Sequence, residues 1–186
     1  FELPAGVCLA ALPGQFLQVN KTVNRAMIEQ VLALANGGEL AVDLFAGSGN
    51  FALPLAAHYG RVIAIEGLQG LVDAGVANAV KNGIKNVEFA CADLSQPLPV
   101  RLLDAPRRDR ADLVVIDPPR SGATAAMDWI AKTQAKQIIY ISCHPATLLR
   151  DAKTLVAAGY RWRQAAALDM FPQTAHLEAL ALFEKG

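Results

Sequence analysis

Five short apolar runs alternate with helix-like segments, and this alternation constrains the fold more than any other feature of the chain. The runs lie at residues 39–45, 61–66, 86–91, 112–117 and 137–142. They are rich in β-branched residues and almost continuously apolar, as strands covered on both faces are. Helical spacing marks residues 21–36, 50–58, 68–82, 124–134 and 146–158. The pattern predicts a doubly wound α/β fold with a mainly parallel sheet and right-handed crossovers.

The last part of the chain breaks the alternation. Residues 161–168 and 177–183 both have the pattern of strands, and a short segment without helical spacing joins them. Consecutive strands with a short connection pair antiparallel, so we expect the sheet to end in an antiparallel strand pair. Residues 1–20 show no clear period and are predicted to be a lead-in segment to a catalytic domain at residues 21–186. Residues 97–111, which hold three prolines and four arginines, are predicted to form an exposed loop.

Length and composition limit the classes of protein to consider. The chain has 186 residues, of which 53% are hydrophobic, as expected of one globular domain. No apolar run approaches the ~18 residues of a membrane span, so no membrane association is expected. Lysine plus arginine equals aspartate plus glutamate at 17 each, which disfavours a strongly electrostatic nucleic-acid binder but leaves room for a local basic surface. The N-terminus has no signal-peptide pattern. The chain begins with Phe1 and not with methionine, so a fragment of a longer protein is expected.

The chain has three cysteines, Cys8, Cys91 and Cys143. Their number is odd, their spacing is long, and no CxxC or paired histidines accompany them, so no metal site is predicted. Free thiols are typical of a reducing, cytoplasmic setting. Cys8 and Cys91 are expected to be ordinary buried thiols.

A glycine loop follows the first predicted strand and opens a helix at residues 43–52. Gly47 and Gly49 allow a tight turn and a close approach of the backbone to a ligand, and the spacing matches a nucleotide-cofactor pattern. Glu66 ends the next strand and is predicted to accept hydrogen bonds from ribose hydroxyls. Asp93 follows the third strand, where the adenine end of a cofactor is expected.

Two kinds of cofactor compete for this loop. A pyrophosphate, as in NAD, would use the helix N-terminus for its charge. S-adenosylmethionine instead carries a sulfonium and an amino-acid tail, which nearby carboxylates favour. Asp43 is expected inside the site, where it would repel a pyrophosphate. This favours S-adenosylmethionine, with an NAD-dependent oxidoreductase as the alternative from another class.

The fourth strand is followed by Asp117-Pro118-Pro119-Arg120. The carboxyl ends of parallel strands face the ligand crevice, and two prolines hold the backbone rigid there. Such a loop can clamp a planar substrate beside the cofactor. An aromatic residue in place of Arg120 would suggest methylation of an exocyclic amine, so this sequence disfavours that reaction.

Cys143 ends the fifth strand, and Pro145 suits the first turn of the next helix. The helix N-terminus is expected to stabilise a thiolate and lower the thiol pKa, whereas His144 is expected to be structural or solvated. A thiolate that adds to carbon 6 of uracil makes carbon 5 nucleophilic towards a sulfonium methyl group. A base must then remove the carbon 5 proton, and the candidates are Asp169, His176 and Glu178.

Together these segments resemble the catalytic domain of the RNA uracil-5-methyltransferase family. The similarity is carried by residues 16–20, 43–51, 117–122, 141–143 and 169–178, which span nearly the whole chain. Within the family, the first and last of these segments look most like the members that methylate 23S ribosomal RNA and carry an iron–sulfur cluster. The resemblance implies a class I S-adenosylmethionine-dependent methyltransferase fold of the Rossmann-like kind.

The family's site residues can be transferred to matching positions. The resemblance implies Cys143 as the nucleophile and Glu178 as the base for carbon 5. It implies a cofactor site that includes the loop glycine Gly47 and six further residues: Gln18, Phe45, Asn50, Glu66, Asp93 and Asp117. The family usually has asparagine where this chain has His144. Its RNA-binding barrel and cluster-binding cysteines lie upstream and are expected only in a longer protein.

The sequence therefore predicts a 23S rRNA uracil-5-methyltransferase domain with RNA as partner and no obligate protein partner. A transfer-RNA enzyme of the same family is the near alternative, and it would be expected to have glutamine at Met170. A non-catalytic RNA-binding module with the cofactor fold is the remaining alternative. Such a module would need neither Cys143 nor Glu178 at the crevice.

Overall fold

A computed structural model describes residues 1–10, 18, 20–96, 110–170 and 177–186 of the chain. Seven strands form one sheet: β1 (Gly38–Leu44), β2 (Tyr59–Glu66), β3 (Val87–Cys91), β4 (Leu113–Ile116), β5 (Gln137–Ser142), β6 (Tyr160–Leu168) and β7 (Glu178–Lys185). Five α-helices accompany them in the described part: α1 (Lys21–Leu34), α2 (Ala52–Leu55), α3 (Gln69–Lys81), α4 (Thr124–Lys132) and α5 (Pro145–Ala157).

The strand order in the sheet is β3-β2-β1-β4-β5-β7-β6. The first five strands pair in parallel, whereas β7 pairs antiparallel with both β5 and β6. This confirms the predicted α/β fold class, including the antiparallel pair at the end of the sheet. The order reverses between β1 and β4, and in such sheets ligands bind outside the carboxyl ends of the strands at that point.

The register of β7 places two distant parts of the chain side by side. Ser142, the last residue of β5, pairs with Ala179 of β7. Because the strands are antiparallel, the next step along each strand brings Cys143 beside Glu178. Glu178 itself pairs with Leu168 on the other neighbour, β6. The nucleophile and base candidates thus meet at the carboxyl end of β5.

Both faces of the central sheet are covered. Along β4 and β5, successive residues enter two separate hydrophobic clusters. Val114, Ile116, Ile138 and Tyr140 belong to one cluster. Leu113, Val115, Ile139 and Ile141 belong to the other. Each of these side chains is fully buried, and burying a side chain of this size contributes about 1.5–3 kcal/mol. Burial on both faces explains why the runs read as continuous apolar stretches.

The first ten residues are more ordered than their sequence indicates. A 3₁₀ turn at Pro4–Gly6 and a bridge between Glu2 and Cys8 fold this segment back on itself. Its apolar side chains enter the core: Leu3, Val7 and Leu9. The segment is held by side-chain amides of α3 and of its C-cap residue. Asn82 binds the backbone of Cys8, and Asn78 binds the backbone of Ala10. No hydrophobic period accompanies such contacts, so the sequence did not reveal them.

Two expectations from the sequence need correction. Cys8 and Cys91 are exposed free thiols, not buried ones. Cys91 ends β3, which is an edge strand of the sheet, and this position leaves its side chain uncovered. The second predicted helix is shorter than expected, since α2 covers only Ala52–Leu55. In the predicted loop at 97–111, residues 97–109 lie outside the described part, Arg110 is exposed and Ala111 is buried.

In the described part of the chain, no helix is both long enough and apolar enough to cross a membrane.

Candidate active site

A cleft of about 630 Å³ opens at the carboxyl ends of the parallel strands. The glycine loop after β1, the end of β2, the loop after β4, the end of β5 and the start of β7 all contribute side chains to it. The lining residues are Leu9, Gln18, Phe45, Ala46, Gly47, Ser48, Asn50, Phe51, Glu66, Leu68, Leu71, Asp117, Pro118, Pro119, Arg120, Cys143 and Glu178.

The glycine loop turns tightly at the floor of the cleft. Gly47 and Gly49 have φ of 56° and 103°, values that side-chain-bearing residues rarely adopt. A Cβ atom at Gly49 would lie 2.7 Å from Leu53, whereas one at Gly47 would meet nothing within 4 Å. Gly47 is therefore required for its backbone conformation, and the space beside it can admit a ligand. Phe45 also has positive φ, at 62°, which is uncommon for an aromatic residue.

Glu66 is fixed in place by the backbone that surrounds it. One carboxylate oxygen accepts a hydrogen bond from the backbone N–H of Gly47 at 3.0 Å. The other accepts one from the backbone N–H of Leu68, also at 3.0 Å. Each oxygen of a carboxylate can accept a second bond, so Glu66 can still bind the two hydroxyls of a ribose. The residues around the loop therefore fit the nucleoside part of S-adenosylmethionine.

Two amide side chains extend this wall of the cleft. Asn50 and Asn24 of α1 bind each other reciprocally, with N···O distances of 2.9 and 3.0 Å. This pairing holds the Asn50 amide at the cleft. On the opposite side, the Gln18 amide donates to the Asp117 carboxylate at 3.4 Å.

The carboxyl groups at the ends of β1 and β4 repel one another. Asp43 is fully buried beneath the glycine loop and does not line the cleft, which corrects the expectation that it stands inside the site. Burial raises the pKa of Asp43 well above its usual value, and the charge of Asp117 raises it further. Burial and the charge of Glu178 raise the pKa of Asp117 to about 7, against a smaller lowering by the Gln18 amide.

Cys143 is partly exposed to the cleft, two residues before α5 begins at Pro145. Burial raises the pKa of its thiol, and the charges of Glu178 and Asp117 raise it further, while Arg120 and a backbone N–H lower it. The thiol pKa is therefore raised, contrary to the expectation of a lowered one, because burial and two carboxylates outweigh Arg120 and the backbone N–H. Burial likewise raises the pKa of Glu178.

The structure brings most of the predicted site residues together. Eight of them line the cleft: Gln18, Phe45, Gly47, Asn50, Glu66, Asp117, Cys143 and Glu178. Asp93 does not; it is exposed two residues beyond β3, and its carboxylate accepts bonds from the backbone N–H and hydroxyl of Ser95. These bonds lower the pKa of Asp93.

The other two base candidates are Asp169 and His176, and the neighbour of Cys143 is His144. Asp169 is exposed and does not line the cleft. His176 lies outside the described residues, as do residues 16, 17, 19 and 171–175 of the segments that carry the resemblance. His144 is the N-cap residue of α5 and is partly exposed, with its side chain making no cap hydrogen bond. Sequence reasoning missed Leu9 as a wall of the cleft and Asn24 as the partner of Asn50, and neither has a sequence signal.

Across the part of the chain that the structure covers, no group of three or more histidine, cysteine or acidic side chains could hold a metal ion.

Known proteins resemble the chain along nearly its whole length. The family model described as tRNA (uracil-5-)-methyltransferase matches residues 9–186. A Pseudomonas putida protein named 23S rRNA (uracil(1939)-C(5))-methyltransferase RlmD is 52% identical over 180 residues, which are 96% of this chain and 39% of that protein. A Hahella chejuensis protein of the same name is 45% identical over 183 residues, covering 97% of this chain and 41% of that protein. The chain thus spans about two fifths of the length of these relatives.

Solved structures agree with this relationship. The Pyrococcus abyssi tRNA (uracil-54, C5)-methyltransferase, solved with S-adenosyl-L-homocysteine, superposes with a TM-score of 0.77 at 28% identity. The match covers 92% of this chain and 40% of that one. The chain has the class I fold of S-adenosylmethionine-dependent methyltransferases, and by sequence and structure it belongs to the tRNA (uracil-5-)-methyltransferase family.

Proposed function

We propose that this chain is the catalytic domain of a 23S rRNA uracil-5-methyltransferase, which transfers a methyl group from S-adenosylmethionine to carbon 5 of a uridine. The observation that carries the proposal is the placement of Cys143 beside Glu178, across β5 and β7, in the cleft that the glycine loop also lines. A thiol and a carboxyl group next to a nucleotide-cofactor loop are the groups that methylation of carbon 5 requires.

Cofactor binding is assigned to the glycine-loop side of the cleft. S-adenosylmethionine, when bound, supplies a methyl group on a positively charged sulfur. Glu66 accepts the ribose hydroxyls, and Gly47 gives the nucleoside room to approach the backbone. Gln18, Phe45, Asn50 and Asp117 line the remaining wall and hold the amino-acid part. Asp93 is assigned to the adenosine end by family resemblance alone, since its carboxylate points to Ser95.

The Cys143 side of the cleft carries out the reaction. The thiol loses its proton and its sulfur adds to carbon 6 of the uracil, so that the carbon 5–carbon 6 electron pair moves towards carbon 5. Carbon 5 then takes the methyl group, and the donor sulfur keeps the electron pair of the broken bond and leaves as the neutral thioether S-adenosylhomocysteine. Glu178 removes the carbon 5 proton, the electron pair restores the double bond, and the sulfur leaves. The raised pKa of Glu178 suits a base that must accept a proton near neutral pH.

Ribosomal RNA is favoured over transfer RNA as substrate by two observations. Relatives at 45–52% identity are named for 23S rRNA, whereas the tRNA enzyme from Pyrococcus abyssi is 28% identical. Met170 also stands where the transfer-RNA enzymes are expected to have glutamine. The target base must leave its stack to reach Cys143.

A cytoplasmic setting fits the three free thiols of the chain. An iron–sulfur cluster would need ligands from outside this chain.

The test is adduct formation in the full-length protein with its RNA. Glu178→Gln should still form the bond between Cys143 and carbon 6 but should release product slowly, because proton removal from carbon 5 is blocked. A protein–RNA species that survives denaturation should accumulate, with the crosslink on Cys143. Cys143→Ser should form none and lose turnover, while Cys91→Ser, the matched control, should behave as the unmodified protein does.

Fluorine in place of hydrogen at carbon 5 should trap the same species with unmodified protein, because fluorine cannot leave as a cation. Mass spectrometry that locates the crosslink on Cys8 or Cys91, or normal turnover by Cys143→Ser, would overturn the proposed mechanism.

A further inference from the structure

A buried carboxylate outside the cleft has no role in the chemistry above. Asp151 lies on α5 and is only 1% exposed. Its Oδ2 accepts the Tyr140 hydroxyl at 2.7 Å and the backbone N–H of Ala123 at 2.8 Å. Its Oδ1 accepts hydrogen bonds from the Arg150 guanidinium at 2.9 Å and from the Thr124 hydroxyl at 3.4 Å. Donors on four residues hold this buried carboxylate in one position, and removing them would leave buried acceptors without partners.

One part of this arrangement completes a helix end. The N-cap residue of α4 is Ala123, which has no side chain able to accept a hydrogen bond. Asp151, which lies on a different helix, accepts the backbone N–H of Ala123 itself, and its carboxylate stands at the N-terminus of α4, where a negative charge is favourable. The start of α4, and with it the loop that leads there from β4, is therefore anchored on α5.

That loop contains a tight turn at residues 119–122. The backbone N–H of Gly122 donates to the carbonyl of Pro119 at 2.8 Å, so Arg120 and Ser121 occupy its centre. Gly122 has φ of 80°, and a Cβ atom there would lie 2.7 Å from Oδ2 of Asp151. The guanidinium of Arg150 donates to the carbonyl of Ser121 at 2.9 Å. Arg150 thus holds the turn through Ser121, and Asp151 holds the residue that follows it, Ala123; neither Arg150 nor Asp151 lines the cleft.

The same carboxylate reaches the elements that carry the thiol. Tyr140 lies on β5, three residues before Cys143, and α5 begins two residues after Cys143. Arg120, at the centre of the turn, lines the cleft together with Cys143. Its positive charge lowers the pKa of the thiol, in opposition to Glu178 and Asp117.

We infer that Asp151 is a positioning residue which, with Arg150, fixes the 119–122 turn and so holds the Arg120 guanidinium beside the Cys143 thiol. Asp151 contacts neither cofactor nor base; it acts through the turn. The inference rests on the proposed role of Cys143 as nucleophile, but the placement of Arg120 can be measured without RNA or cofactor.

The test measures how fast iodoacetamide alkylates Cys143 as a function of pH, followed by mass spectrometry in a Cys8→Ser/Cys91→Ser background. Asp151→Asn and Asp151→Ala should move the midpoint of the profile upwards by about 0.5–1 pH unit, which is about a 3–10-fold loss of rate below the midpoint. Arg120→Gln should move it in the same direction by at least as much. Asp151→Ala combined with Arg120→Gln should add nothing to Arg120→Gln alone, because both act through one charge.

Asp112 provides the matched control. Its carboxylate also accepts two backbone N–H groups, of Glu39 and Leu40, and pairs with a surface cation, Lys136. It lies at the amino ends of β1 and β4, away from the cleft. Asp112→Ala should destabilise the protein and leave the Cys143 profile unchanged. If the Asp151 variants do not fold, Arg150→Gln changes a half-exposed side chain and should give a smaller upward shift.

An unchanged midpoint in the folded variants of Asp151 and Arg150 would overturn the inference, as would an equal shift from Asp112→Ala. Failure of the proposed function would look different. The RNA crosslink would then be absent from Cys143, while the alkylation profile would still respond to Asp151.

Discussion

Four carboxyl side chains lie in or beneath the cleft, around a single thiol: Asp43, Glu66, Asp117 and Glu178. Burial raises the pKa values of Asp43, Asp117 and Glu178, and the charges of neighbouring carboxylates raise those of Asp43 and Asp117 further. Arg120 is the cation that lines the same cleft in the described part of the chain. A ligand with a positive charge would relieve this repulsion, whereas a pyrophosphate would increase it. The charge arrangement thus supports a sulfonium cofactor over NAD.

Asp117 makes the protein less stable as pH rises. Its folded pKa of about 7 lies above the ordinary value of 3.8, so between these values the folded state binds the proton more tightly than the unfolded chain does. The stabilisation is complete below about pH 4 and lost as pH rises through 7. Asp117→Asn should therefore gain about 2 kcal/mol over the unmodified protein at pH 8, and nothing at pH 4. This gain in stability is smaller than the full pKa shift of Asp117 implies, because the side chain is partly exposed to solvent.

Urea unfolding at both pH values measures this difference. Asp112 should give the opposite dependence of stability on pH. Although burial opposes the change, Lys136 and two backbone N–H groups lower its pKa. Asp112→Asn should lose stability at pH 8, and the loss should shrink as the pH falls below 4. A gain from Asp117→Asn that is the same at pH 4 and pH 8 would mean that its charge is not the cause.

Glu66 should dominate binding of the cofactor's ribose. Glu66→Gln keeps the shape but loses the charge and one acceptor, so we expect a loss of about 1–3 kcal/mol, or about 5–150-fold in Kd for S-adenosylhomocysteine. Calorimetry on the chain measures it. Glu88→Gln, which removes a surface carboxylate paired with Arg61, should leave the Kd unchanged. Tight binding of NAD would refute the cofactor assignment.

At the scale of elements, α3 connects the edge of the sheet with the glycine loop. Gly75 of α3 lies against the ring of Phe89 on β3, where an added Cβ atom would come within 2.6 Å of the ring. Asn78, one turn further on, donates to the Ser48 carbonyl in the glycine loop at 3.2 Å. The helix therefore sits close to the sheet, and its distance from the sheet affects the cleft.

Gly75→Ala should push α3 from β3 and destabilise the protein by about 1–3 kcal/mol, despite the better helix propensity of alanine. Gly70→Ala on the same helix is the comparison, since a Cβ atom there meets nothing within 4 Å. It should be neutral or stabilising by about 0.4–1 kcal/mol. Urea midpoints of the two variants measure the contrast, and equal stability would show that Phe89 moves aside without cost.

At the scale of the whole molecule, formal charge is balanced, with 17 basic and 17 acidic residues. RNA affinity that depends on phosphate contacts needs an excess of cations in the binding surface. The chain also spans about two fifths of the length of its relatives. For the proposed RNA substrate, a chain of balanced charge is expected to make few phosphate contacts of its own.

The chain alone should therefore bind ribosomal RNA weakly, with a shallow dependence of affinity on salt. The full-length Pseudomonas putida relative should show a steeper slope of log K against log salt, because it releases more counterions. Fluorescence titrations at several salt concentrations measure both slopes. Tight, specific and steeply salt-dependent binding by the chain alone would mean that a local basic surface is sufficient.

The sequence by itself determined the parts of the protein that depend on local chemistry. Strand and helix periods identified every element of the sheet, because burial on both faces leaves a continuous apolar run that needs no knowledge of its neighbours. The positions of Gly47 and Glu66 were likewise readable, since a positive φ and the end of a strand are local properties. Residue chemistry suggested a thiolate at Cys143 and left three candidates for the base, and family resemblance singled out Glu178. That the two lie side by side follows from the pairing of β5 with β7, which the sequence did not predict.

Only the tertiary structure decided what depends on groups far apart in the sequence. The exposure of Cys91 follows from the place of β3 at the edge of the sheet, which no local pattern encodes. Burial is the main cause of the raised pKa of Cys143; Glu178 and Asp117 raise it further and Arg120 lowers it. These groups come from distant parts of the chain, and the net shift is opposite to the one expected from the helix N-terminus alone. Asp151, a polar residue in an amphipathic helix, is indistinguishable in sequence from a solvated one. Its position against Tyr140 and Ala123 is fixed by packing, because a hydrogen bond between distant elements exists only once the chain has folded.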